Sequence, residues 1–276
     1  MKKKLSIVLL LVFSIFSKTN YMIISFPRSG SIFLEECIRK ANPFLKRKND
    51  FFHVNSFNKR GDDLNYSKVF TDYFSDYKAS FLETALNKLW KKCDNTIGRE
   101  VFAYKRVSLF QDKFTIIGLF RHRKHTFLSP DSCAYVSGVY WEFILGDFED
   151  LKLNRLKRYI LSLTGTELEE QCAAHIVGNY LLLSSFKEYN IPIIEFEKIV
   201  TLGWKDLHAY LKDRMPQEIF NDDLVDGIIR NRNNSGLTLK EREKLYLNLG
   251  VENYCQKIIK FIEEIDPDFT YIKYLE

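Results

Sequence analysis

The chain has 276 residues, 46% of them hydrophobic and 28% charged, with a net charge of +5. That length and balance fit one large α/β domain with a full core and exclude a disordered chain. Three of the net charges are Lys2, Lys3 and Lys4, which leaves +2 for the body; this is too little for a nucleic-acid footprint, although a compact anionic ligand needs only a local cluster.

Residues 1–17 place a basic start before a dozen apolar residues. That run is shorter than the roughly 20 residues of a membrane-spanning helix. It predicts a signal peptide or short membrane anchor, with a hydrophobic first strand or helix as the alternative. The remaining 18–276 form the expected domain. The sequons at Asn65 and Asn233 are compatible with a secretory route. The five cysteines, Cys37, Cys93, Cys133, Cys172 and Cys255, show no metal-like spacing. Structural thiols are expected, with one bridge left open, and no metal site is expected.

Strands and helices alternate, which predicts a parallel sheet with helical crossovers. Tyr21–Phe26 is a short apolar run ending at Pro27, and reads as a buried strand. Ser31–Ala41 reads as a helix, Phe51–Val54 as a second strand and Phe70–Lys92 as one or two helices. Val101–Lys105 and Thr115–Phe120 are further strands. Asp150–Asn190 is helical, Pro192–Phe196 is another buried strand, and the rest is mostly helical. Ile258, Phe261, Ile262 and Ile265 form an apolar stripe at helical spacing, read as core.

The segment Tyr21–Glu35 runs a buried strand into a tight turn that opens a helix. Free N–H groups and the dipole at such a helix start form an anion site. Gly30 permits close backbone approach, Arg28 adds a forked cation, and Ser29 and Ser31 add hydroxyls. A Walker A pattern is absent, which disfavours a Mg-nucleotide triphosphatase. The alternative is an ordinary turn with Ser29 or Ser31 as the helix cap.

Phe26-Pro27-Arg28-Ser29-Gly30-Ser31 resembles the 5′-phosphosulfate loop of the sulfotransferase family. Ile32 and Phe33 stand where that family usually has a second Thr and a Trp. Thr115–Arg121, with Ser129 eight residues on, is similar to the family's 3′-phosphate site. Ile193–Val200 resembles its strand ending in an aromatic-Glu-Asp-Leu pattern. Arg230–Gly236, with Arg230 and Arg232, resembles the basic loop over the adenine end, without an intact Arg-Lys-Gly triplet.

The resemblance implies a P-loop NTPase-like sulfotransferase fold that binds 3′-phosphoadenosine 5′-phosphosulfate (PAPS). Its contact residues would be Arg28, Ser29, Gly30, Ser31, Ile32, Phe33, Arg121, Ser129, Arg230 and Arg232. It implies transfer of the sulfuryl group to a hydroxyl or amine of a glycan, protein or small molecule. Arg28 and Lys105 would stabilise the departing charge. Lys105-Arg106-Val107 retains the lysine of the family's Lys-Thr-His triplet but lacks its histidine. His53 is the expected base, beside Asp50, because an imidazole suits proton transfer near neutrality. His122 and His125 flank Arg121 and are candidates for phosphate contact; His175 and His208 are expected to be structural. With a targeted N-terminus, the expected location is the secretory lumen or its membrane, with the cytoplasm as the alternative. A non-catalytic nucleotide-binding protein and a P-loop kinase are the rival readings. The aromatic segment 51–80 is an acceptor wall or simply core.

Overall fold

A computed structural model describes residues 20–26, 29–48, 95–100, 107–111, 113–126, 144, 148, 150–163, 165–232 and 238–276. The elements in chain order are β1 (Tyr21–Ser25), α1 (Ser31–Ala41), β2 (Lys46–Lys48), β3 (Thr96–Glu100), α2 (Ser108–Gln111), β4 (Thr115–Phe120) and α3 (Arg123–Thr126). They continue with α4 (Leu151–Ser162), α5 (Glu167–Glu188), β5 (Ile193–Glu195), α6 (Phe196–Thr201), α7 (Trp204–Lys212), α8 (Asp222–Asn231), α9 (Leu239–Leu247) and α10 (Glu252–Ile265).

Among the described residues five strands form one parallel sheet in the order β2-β3-β1-β4-β5. Every residue of β1 is buried because helices cover both faces. Side chains alternate along a strand, so β1 feeds two cores. Met22, Ile24 and Phe26 join α4, α5 and α10 on one face. Tyr21 and Ile23 join α1, α6, α7 and α8 on the other. Burial of this kind contributes about 25 cal/mol per Å² of apolar surface removed from water.

Polar contacts set the register. Asn20, 3% exposed, accepts from the Thr96 amide at 3.0 Å and the Thr96 hydroxyl at 2.8 Å through its side chain. Its own carbonyl accepts from Thr115 N–H at 2.8 Å. One residue thereby aligns the starts of β1, β3 and β4. Glu35 of α1 is fully buried between Arg99 Nε of β3 at 2.7 Å and Arg47 Nε of β2 at 3.0 Å. Burial pushes its carboxyl above the usual range, against the pull of Arg99, Arg47 and Arg39.

The parallel α/β architecture, β1, α1 and β4 are found as expected. The strand expected at Val101–Lys105 lies outside the described residues; the strand β3, Thr96–Glu100, was not expected from sequence. The strands β2 and β3 escape a search for apolar runs because Ile97 is the one aliphatic side chain in them. The expected strand at Phe51–Val54 and the helices at Phe70–Lys92 lie outside the described residues, as do 1–17. The single helical stretch at 150–190 is two helices. The second restarts at a capping box in which Thr166 and Glu169 bond each other's backbone N–H. The stripe on α10 is core, with Ile258 and Ile262 fully buried.

Gly178 lies mid-way along α5, against the Phe26 ring that ends β1. A Cβ there would meet that ring at 2.0 Å. Alanine normally favours a helix over glycine by about 1 kcal/mol. Here Gly178→Ala is expected to destabilise by about 1–3 kcal/mol through overpacking, read as a lower urea midpoint at an unchanged m-value.

Candidate functional site

The site lies at the carboxyl ends of two neighbouring strands. β1 and β4 pair from Tyr21↔Thr115 to Ser25↔Leu119. The turn leaving β1 and the residue leaving β4 therefore stand side by side, where open α/β sheets bind ligands.

The turn after β1 is built around Gly30, the N-cap of α1, at φ 86° and ψ 18°. Among the described residues no side chain caps this helix, and its first turn carries no acidic residue. The reading of Ser29 or Ser31 as the cap is therefore not what the structure has. The early N–H groups of α1 remain donors. Ser29 is fully buried, and its hydroxyl has no hydrogen-bond partner among the described residues. Ser31 is 5% exposed, whereas Ile32 is 48% exposed. Arg28 lies outside the described residues.

Gly30 has a second reason to be glycine. A Cβ there would meet the Phe196 ring at 2.2 Å. Phe196 opens α6, directly after β5, and Phe33 meets it edge-on at 6.0 Å. The same ring carries the Arg121 guanidinium, whose Cζ is 4.5 Å from its centroid. Phe196 thus touches both halves of the expected site. Arg121 follows β4 directly, as expected. Burial lowers its pKa to about 10, opposed by Glu197 and assisted by Arg242. It remains a cation at neutral pH.

Glu197 organises the turn after Arg121. Its Oε1 accepts from the His122 N–H at 3.0 Å and contacts His125 Nδ1 at 2.7 Å. Arg242 of α9 donates to the His125 carbonyl at 3.4 Å. His122 is pushed down to about 3, by burial first and then by Arg123, Lys124 and His125. It is neutral at physiological pH, so it would not bring a charge to a phosphate.

The remaining expectations divide. His53, Asp50, Lys105 and Ser129 lie outside the described residues. Arg230 is still within α8, its Nε donating to Asp226 O at 3.3 Å. Arg232 follows α8 and donates to Leu202 O at 2.6 Å. Both of these contacts are to backbone carbonyls. Ile193–Val200 is a strand only to Glu195. His175 is fully buried against Phe26, with centroids 4.9 Å apart, and His208 stacks on Trp204 at 5.1 Å. Among the described residues no group of three metal-ligating side chains occurs, and no helix is long and apolar enough to cross a membrane. Phe196 and Glu197 fall in the Ile193–Val200 segment quoted from sequence for its aromatic-acidic pattern, though no role was assigned to either; Arg242 was not singled out.

No family model, curated protein or solved structure matches the chain.

His175, like His122, is held down to about 3, by burial and then by Arg123. Below about pH 6.5 the unfolded chain takes up protons at these sites that the folded chain refuses. Stability should therefore fall as pH drops from about 6.5 and level off near 3, by roughly 1 kcal/mol per pH unit for the fully buried His175. Urea melts at pH 7, 6 and 5 check this, and His175→Gln should flatten the slope.

Proposed function

We propose that the chain is a PAPS-dependent sulfotransferase with a P-loop-like sulfotransferase fold. The observation that carries this reading is the uncapped α1 turn, with the buried Ser29 hydroxyl, beside Arg121 on the next strand. Two anion-binding elements on adjacent strand ends suit a ligand with two separated phosphates. The order β2-β3-β1-β4-β5 is neither of the two commonest doubly wound orders, so generic dinucleotide binding is not the default.

In the proposed reaction an acceptor oxygen or nitrogen attacks sulfur in line, and the bond from sulfur to the bridging oxygen breaks. The electron pair leaves on the 5′-phosphate of 3′-phosphoadenosine 5′-phosphate. Arg28, Lys105 and the N–H groups of α1 offset that charge, while Arg121 and Ser129 hold the 3′-phosphate. His53 takes the acceptor proton. No metal is required. Ile32, Phe33, Arg230 and Arg232 complete the proposed contacts, Arg230 and Arg232 by leaving their carbonyl partners. The acceptor is a glycan, protein or small molecule, and the setting is the secretory lumen or its membrane.

Calorimetry with 3′-phosphoadenosine 5′-phosphate should show tight binding, and Mg-ATP much weaker binding. Arg28→Ala and Arg121→Ala should each weaken affinity by roughly ten- to a hundredfold, the worth of a charge-assisted contact. A folded protein that ignores the nucleotide would remove the cofactor assignment. Binding without turnover on any acceptor would leave the non-catalytic reading.

A further inference from the structure

We propose that Arg123 is a positioning residue for Arg121, and that it does so by tying the turn after Arg121 to the segment 274–276. The proposal rests on the reading of Arg121 as a phosphate contact. The turn is α3, a four-residue helix that follows β4 closely. Within it, the N–H groups of His125 and Thr126 donate to the His122 carbonyl at 3.0 and 3.2 Å. A helix this short is not stable by itself. Its place is therefore imposed by contacts from elsewhere in the fold.

Arg123 is 2% exposed, and each of its three guanidinium nitrogens has a partner. Nε donates to the Tyr246 hydroxyl of α9 at 3.1 Å, and Nη2 to Glu252 Oε1 of α10 at 2.7 Å. Nη1 donates to the backbone carbonyls of Leu275 and Glu276. One side chain thereby ties α3 to three separate parts of the chain. Only a fork of N–H donors spans partners in several directions; an ammonium is a point charge. The stretch that Arg123 grips also reaches the other side of Arg121. The Tyr274 ring meets the Phe120 ring edge-on, with centroids 5.2 Å apart, and Phe120 is the last residue of β4. Arg121 is thus bracketed, at 120 and at 123, by contacts to one short stretch of chain. Leu275 in that stretch is buried in the core, so the stretch has a fixed seat. The buried Arg123 guanidinium is directed to these partners, which makes it a positioning group, while Arg121 lies on the Phe196 ring beside Gly30.

Two measurements on the full chain test this: calorimetry with 3′-phosphoadenosine 5′-phosphate, and amide hydrogen exchange of peptides covering 121–126. Arg123→Met should weaken the nucleotide by about tenfold, within what a small misplacement of a binding group can cost. Added to Arg121→Ala, the same substitution should cost no further affinity, because its effect runs through Arg121. Arg123→Lys keeps the charge and should not restore binding. Tyr274→Ala is a milder change at a partly exposed residue. It should shift affinity in the same direction, and it decides the matter if Arg123→Met does not fold. In each folded variant, exchange at 121–126 should quicken while that of α1 stays as in the wild type. Wild-type affinity in Arg123→Lys would show that charge alone matters and would overturn the proposal. So would an equal loss in the Arg121→Ala background, or unchanged exchange at 121–126. A folded wild-type chain that does not bind the nucleotide would remove the cofactor reading instead. Exchange at 121–126 would then still decide whether Arg123 holds the turn: quicker exchange supports it and unchanged exchange overturns it.

Discussion

One aromatic ring decides where the two halves of the candidate site stand. Phe196 fills the space that any side chain at position 30 would need, and it supports the Arg121 guanidinium on its face. A glycine at φ 86° is therefore required both by the backbone and by its neighbour. The turn after β1 and the cation after β4 thus both rest against one ring. The contact also has an electrostatic side. A cation over an aromatic face is attracted by about 0.5–2 kcal/mol, more when water is excluded. This offsets part of the desolvation that pulls the Arg121 pKa down.

Charge is handled differently on the two sides of β1. Toward β2 and β3, Glu35 is sealed between Arg99 and Arg47, and three elements close on one carboxylate. Breaking such a pair costs more than forming it contributes, because the survivor stays buried. Toward β5, Glu197 fixes the turn after Arg121 by accepting from a backbone N–H and contacting an imidazole. His122 is kept neutral there, while Arg121, Arg123, Lys124 and Arg242 are cations near that turn.

The sequence made some of this legible and hid the rest for identifiable reasons. Tyr21–Ser25 and Thr115–Phe120 are central strands, so both their faces are apolar and the runs stand out. Lys46–Lys48 and Thr96–Glu100 are strands by pairing with neighbours rather than by composition, and no local pattern announces them. Ser29, Gly30 and Arg121 were recognisable because strand–turn–helix chemistry is local. Phe196 is about 165 residues from Gly30 in the chain, and its ring meets Gly30 only once β1, β4 and β5 are side by side.

The sheet, as described, ends on one side at β2, where Lys46 and Arg47 are exposed. A free strand edge is a template for pairing with another chain. Two copies meeting there would bring like charges to the spacing of adjacent strands, about 4.8 Å. That repulsion is screened by salt, over about 10 Å at 0.1 M and 3 Å at 1 M. The electrostatic barrier to association through β2 therefore weakens as ionic strength rises.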